Sequence, residues 1–214
     1  MVGAPGAGKG TQASLLAESL GLPHVASGDL FRNHIRQQTA LGKKASSYIE
    51  RGALVPDALT VQLIADRLAQ PDAAEGAILD GFPRTTPQAE ALDSMLARRG
   101  GRVAGALYVD VERDELMRRL SGRWICRTSE DHVYHATANP PAVPGRCDID
   151  GAPLYQRDDD RPATVRARLD QQLPPMYEVI DYYADRGVLS AVDGDRPIDE
   201  VTDALLRAIA QPAS

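Results

Sequence analysis

The sequence predicts an α/β fold built on a mostly parallel sheet, and three observations lead there. Short apolar runs alternate with helix-length segments along most of the 214 residues. A glycine-rich loop, with a lysine and a threonine in register, opens the first helix. One stretch, residues 123 to about 160, breaks the alternation with turns, prolines, glycines and both cysteines.

The elements follow in order. Residues 12–20 repeat apolar positions at helical spacing and stop at Gly21, a favourable C-terminal stop. Apolar runs at 23–26, 77–79, 103–111 and 187–192 read as buried strands. Between them, segments 57–70, 86–99, 113–120 and 164–185 have helical length, and 197–210 closes the chain as an amphipathic helix. A structureless loop as long as 123–160 is improbable inside a compact domain, so that segment should form a small subdomain with its own task.

Composition excludes several classes. With 43% hydrophobic and 25% charged residues the chain reads as a soluble globular protein. No apolar run approaches the roughly 20 residues of a membrane span. The net charge of −6 gives no reason to expect nucleic acid as a partner. The N-terminus runs straight into glycines, so no secretory leader is read and a cytoplasmic location is expected. Two cysteines, Cys126 and Cys147, are too few for a disulfide scaffold, which leaves reduced thiols or a metal. All but three of the 24 basic residues are arginine, so only arginines inside a motif carry weight.

Residues 3–11, GAPGAGKGT, fit the phosphate-loop pattern G-x-x-x-x-G-K. Glycines let successive backbone N–H groups curl around phosphate oxygens, and the following helix aims its positive end at them. Gly6, Ala7, Gly8 and Gly10 supply that backbone, Lys9 a cation, and Thr11 a hydroxyl near phosphate or magnesium. A bound nucleoside triphosphate is the expectation.

Three further stretches narrow it: SGDLFR at 27–32, DGFPRT at 80–85 with Gln88, and R-x-D-D at 157–160. Together with the loop they resemble the adenylate kinases with a long lid, in order and over essentially the whole chain. The resemblance implies a parallel five-stranded sheet flanked by helices. It divides the chain into a core (1–27, 56–121, 161–214), a helical insertion for the nucleoside monophosphate (28–55) and a β-rich lid (122–160). It implies Mg·ATP and AMP as substrates, a GTP-using AMP kinase or a catalytically silent nucleotide binder being the alternatives. A monomer is the simpler expectation.

On this resemblance Lys9, Arg84, Arg119, Arg123, Arg157, Arg168, Asp159 and Asp160 are the catalytic set. Arg119, Arg123, Val133 and Tyr134 join the loop around ATP. Ser27, Arg32, Leu54, Val55, Gly81, Arg84, Gln88, Arg157 and Arg168 surround AMP, with the Gln88 amide on the adenine edge. Arginine suits this work because its planar fork grips two phosphate oxygens at once. Asp80, at the end of the 77–79 run, would hold magnesium through water. Asp29 reads equally well as a support for that water network or as a helix cap.

Lids of this family hold either structural zinc or a hydrogen-bonded polar cluster. The usual zinc pattern pairs ligands as C-x2-C, but here the second position is Ser129, a poor ligand. Nearby His132 completes Cys126, His132, Cys147 and Asp150, a chemically reasonable tetrahedral set. Both lids, with zinc or without, stay open at this point. His135, His24 and His34 read as structural.

One departure stands out. Only Met1 and Val2 precede the first glycine, where the resembling family has a central strand. Either the chain as written starts late, and an extended form is more stable, or the two residues hold a stub that the sheet tolerates.

Overall fold

The computed structural model describes residues 1–130 and 132–210. Its helices are α1 (Lys9–Leu20), α2 (Ser27–Arg36), α3 (Ala40–Ile49), α4 (Asp57–Leu68), α5 (Thr86–Ala97), α6 (Arg113–Ser121), α7 (Pro162–Ala184) and α8 (Ile198–Ala210). The strands are β1 (His24–Ala26), β2 (Ile78–Asp80), β3 (Ala106–Asp110), β4 (Arg123–Cys126), β5 (Val133–His135), β6 (Leu154–Tyr155) and β7 (Leu189–Asp193).

The α/β alternation is observed, but the five-stranded sheet is not continuous. β1 runs parallel to β2, with Val25 opposite Leu79, and β3 runs parallel to β7, with Tyr108 opposite Ala191. Between the pairs lies only a stub. The Met1 nitrogen donates to the Leu79 carbonyl at 2.7 Å, and Val2 makes a parallel bridge to Tyr108. Val2 N–H reaches Leu107 O at 2.8 Å, and Val109 N–H reaches Val2 O at 3.0 Å. Two residues thus give one hydrogen bond on the β2 side and two on the β3 side, where a full strand would give several on each.

The main core explains why the stub holds. Val2, Leu16, Leu107, Val109, Leu116, Leu120, Leu169 and Tyr183 form one buried cluster joining α1, β3, α6 and α7. Burial on this scale contributes roughly 25 cal/mol per Å² of apolar surface. A second cluster around Val25, Ile64, Phe82 and Leu92 seats the β1–β2 pair on α4 and α5. A separate small cluster, Phe31, Ala45, Val55 and Leu63, packs α2 and α3.

Helix α7 continues through Pro174 and Pro175, although each removes a backbone donor. Its buried stripe, Val165, Leu169, Gln172, Met176, Val179 and Tyr183, recurs every three or four residues and holds the helix against the core. The 123–160 segment is a three-stranded antiparallel sheet in the order β5-β4-β6. Cys126, Tyr134, Cys147 and Leu154 form its core.

Candidate active site

The phosphate loop wraps the N-terminus of α1. Gly8 caps that helix in the left-handed region at φ 88, with no side chain accepting from the first turn. Such a terminus leaves backbone donors for an anion. Lys9 folds back to give Nζ a 2.8 Å bond to Ala4 O. Desolvation lowers its pKa to about 8; Asp80 opposes this, while Arg84, Arg168 and Arg123 add to it.

Asp80 ends β2 beside the loop. Burial alone would raise its pKa, but the His24 ring, Lys9 and the Met1 amino group outweigh it and hold the carboxyl at about 2. His24 Nε2 lies 3.7 Å from Asp80 Oδ2, and its Nδ1 is 3.2 Å from Ser14 Oγ. That role for His24 had no motif to announce it. An ionised carboxylate with a neighbouring cation and a glycine loop fits a hydrated magnesium ion.

The arginines converge around Asp159 and Asp160, between β6 and α7. Arg123 grips Asp160 with two bonds, 2.8 and 2.6 Å, and Asp160 is fully buried. Arg168 Nη1 meets Asp159 Oδ2 at 3.0 Å and Asp160 Oδ1 at 3.3 Å. Desolvation lowers the Arg168 pKa, with Arg123 and Arg32 adding repulsion against the pull of Asp159 and Asp160. Arg84 is lowered to about 10 by the same desolvation and by Arg168. Cations held this close repel one another, and a polyanion among them relieves that repulsion.

A cleft opens beside this cluster, lined by Ser27, Arg32, Leu54, Val55, Gly81, Arg84, Gln88 and Arg168 among others. Eight of the nine residues expected around AMP therefore share one cavity. Arg157, the ninth, faces Arg32 instead through Glu130, whose carboxylate it also contacts. Asp29 does not cap its helix; it accepts from Arg32 one turn on.

Three expected residues have other partners. Gln88 is 1% exposed, accepting from Arg84 N–H at 2.8 Å and donating to Asp57 Oδ1 at 2.7 Å. Its amide keeps a second N–H and a second lone pair for a base. Arg119 stands apart, bonded to Glu115 at 2.7 Å, Gly194 O at 3.0 Å and Asp195 at 2.9 Å. Tyr134 turns its ring into the lid core, where its hydroxyl accepts from Asp148 N–H at 2.7 Å. Only its backbone is left to face a nucleotide, beside the exposed Val133.

Around the β5-β4-β6 sheet, Cys126, His132, Cys147 and Asp150 bring ligand atoms within 4.8 Å of one another. Cys126 Sγ lies 3.4 Å from Asp150 Oδ1, Cys147 Sγ 3.4 Å from His132 Nδ1, and His132 Nδ1 3.3 Å from Asp150 Oδ2. A tetrahedron with metal–ligand bonds of 2.0–2.3 Å has edges of about 3.3–3.8 Å; these three separations lie in that range, and the rest of the set stays within 4.8 Å. His132 enters the set because Ser129 turns the chain: His132 N–H bonds to Ser129 O at 3.3 Å.

Sequence reasoning missed Glu130, Gln172 and the Glu115–Asp195 pair that grips Arg119. Only Gln172 had a visible signal, as the one polar residue in the apolar stripe of α7.

Cations gathered around a glycine-rich loop serve the handling of nucleotide phosphates, and with this α/β core they define a phosphate-loop nucleotide kinase. The comparison with known proteins makes the class specific. The sequence profile of the adenylate kinase family matches residues 1–188. An adenylate kinase of Streptomyces avermitilis is 48% identical, covering 98% of this chain and 95% of its own. Adenylate kinases of Lysinibacillus sphaericus and Methanocella arvoryzae are also 48% identical, covering 97% and 98% of this chain and 97% and 96% of theirs. The chain belongs to the adenylate kinase family and is an enzyme of the nucleoside monophosphate kinase class.

Proposed function

We propose that the protein transfers a phosphoryl group reversibly from Mg·ATP to AMP, giving two ADP. The observation that carries this reading is the cleft lined by Ser27, Arg32, Leu54, Val55, Gly81, Arg84, Gln88 and Arg168. These residues come from segments far from the phosphate loop in sequence, and the cleft adjoins the loop where Gly81 and Arg84 also face Gly3, Pro5 and Lys9. ATP lies along the loop, with Lys9 and the backbone of α1 on its terminal phosphates. AMP enters the cleft, its phosphate between Arg32, Arg84 and Arg168.

Transfer needs neutralised charge, in-line alignment and a dry site more than acid–base chemistry. Arg84, Arg123, Arg157 and Arg168 take up charge on the moving group, while Asp159 and Asp160 hold two of those guanidinium groups in place. Asp80 would hold magnesium through water, and that ion would supply charge neutralisation at the phosphates. Residues 28–55 and 122–160 act as the moving insertion and lid, closing on the substrates. Zinc at Cys126, His132, Cys147 and Asp150 would brace the lid, whose own apolar core is small. The enzyme works as a cytoplasmic monomer.

The test is ADP formation from ATP with AMP, UMP, CMP and GMP in turn. Turnover confined to AMP supports the reading. Turnover with UMP or CMP reassigns the acceptor, and no turnover with any of the four leaves a nucleotide binder.

A further inference from the structure

Gln172 lies on the buried stripe of α7 and is 7% exposed. Burying an amide without partners is costly, so both its ends need an explanation. Its Oε1 accepts from Arg84 Nη1 at 2.8 Å, and its Nε2 donates to Gly52 O at 2.7 Å. These partners belong to two separate segments of chain, both of which line the cleft.

Gly52 leads directly into Leu54 and Val55, the backbone that walls the cleft. It is held hard against α7: at φ 77, a Cβ there would lie 2.6 Å from Arg168 Cγ and 3.1 Å from Arg168 N. Only glycine allows that approach. Arg84 has its Nε on Gly81 O at 2.7 Å, so the bond to Gln172 fixes a second nitrogen and with it the plane of the guanidinium.

We propose that Gln172 is a positioning residue that sets the separation between the base end and the phosphate end of the acceptor site. One rigid amide ties the Gly52–Val55 wall to Arg84, so the two ends move together when the insertion closes. A residue serving packing alone would need no oxygen facing Arg84, and leucine would fill the same space. The inference rests on the acceptor assignment proposed above.

The experiment uses the full chain with Gln172→Met, which keeps the volume and removes both bonds, and Gln172→Glu, which keeps an oxygen for Arg84 and loses the donor to Gly52. KM for AMP and for ATP, kcat and melting temperature are read for each. Gln172→Met is expected to raise KM for AMP about tenfold with KM for ATP unchanged. Gln172→Glu, which restores the contact to Arg84 but not the bond to Gly52, is expected to leave KM for AMP raised with KM for ATP unchanged. Equal rises in both KM values, or a fall in melting temperature with no split between them, would overturn the inference.

Hydrogen exchange over residues 48–55 without nucleotide keeps this failure apart from failure of the function reading. Unchanged exchange in Gln172→Met overturns the positioning role whatever the activity. Faster exchange, in a wild-type protein that makes no ADP, overturns the function reading and upholds the tie.

Discussion

Arg32 Nε donates to the Glu130 carboxylate at 2.7 Å, joining α2 to the turn between β4 and β5 across 98 positions of sequence. Arg157 contacts the same oxygen, and Arg36 stands 3.9 Å from the other. Burial pushes the Glu130 pKa up, but Arg32 and Arg157 outweigh it and keep the group lowered and ionised. Glu130 therefore occupies two arginines that the proposed acceptor site assigns to phosphate. Glu130→Gln keeps the shape and removes the charge. KM for AMP is expected to fall roughly threefold to tenfold, since a charge-assisted bond no longer has to be displaced. An unchanged or higher KM would show that Glu130 stays in place when the phosphate binds.

Lys9 connects activity to pH. With its pKa lowered to about 8 in the empty site, it loses its proton as pH rises through that value. The cation then fails ATP, so kcat/KM for ATP should fall about tenfold per pH unit above about 8. Stability moves the other way. The unfolded lysine, near pKa 10.4, binds more protons than the folded one between pH 8 and 10.4, so stability contributed by this group rises across that window. Lys9→Met should accordingly lower kcat by about 10²–10³-fold while melting no lower than the parent at pH 7. Calorimetry beside the steady-state assay checks both halves.

The lid set predicts metal content. Purified protein should carry about one zinc per chain by elemental analysis. His132→Ala should lose it and Ser129→Ala should keep it, because His132 Nδ1 sits 3.4 Å from Cys147 Sγ and 3.3 Å from Asp150 Oδ2. Chelation should lower the melting temperature by several degrees, with the unfolding of β4, β5 and β6. Stoichiometric zinc in His132→Ala would return the fourth position to Ser129.

Asp160 predicts a stability effect. It is fully buried and accepts from both Arg123 and Arg168. Asp160→Ala removes the anion and leaves two guanidinium groups without it, an expected loss of about 3–5 kcal/mol in urea unfolding. A loss under about 1 kcal/mol would mean that the arginines find other partners at the surface.

Much of this protein is legible in its residues. Periodicity located α4, α5, α6 and α8 within a residue or two, because amphipathic spacing is a local property. The phosphate loop was legible for the same reason: glycines, Lys9 and Thr11 act within one turn of chain. The arginines at 32, 84, 123, 157 and 168 were legible only through motifs, since an arginine alone is indistinguishable from surface charge in a chain so rich in it.

Tertiary structure decided what depends on distance rather than order. The sequence by itself determined the element types, the phosphate loop and the residues able to bind metal. Folding decided that His132 comes within reach of Cys147 and Asp150, that Gln88 turns to Asp57, that Arg119 turns to Asp195, and that Glu130 reaches Arg32. It also decided that Met1 and Val2 span two strand pairs with a few hydrogen bonds. Backbone pattern obeys near-neighbour sterics and hydration, which the sequence carries locally. A side chain's partner is chosen by desolvation and Coulomb energy among whatever the fold brings within about 4 Å, and those neighbours are set by the whole chain.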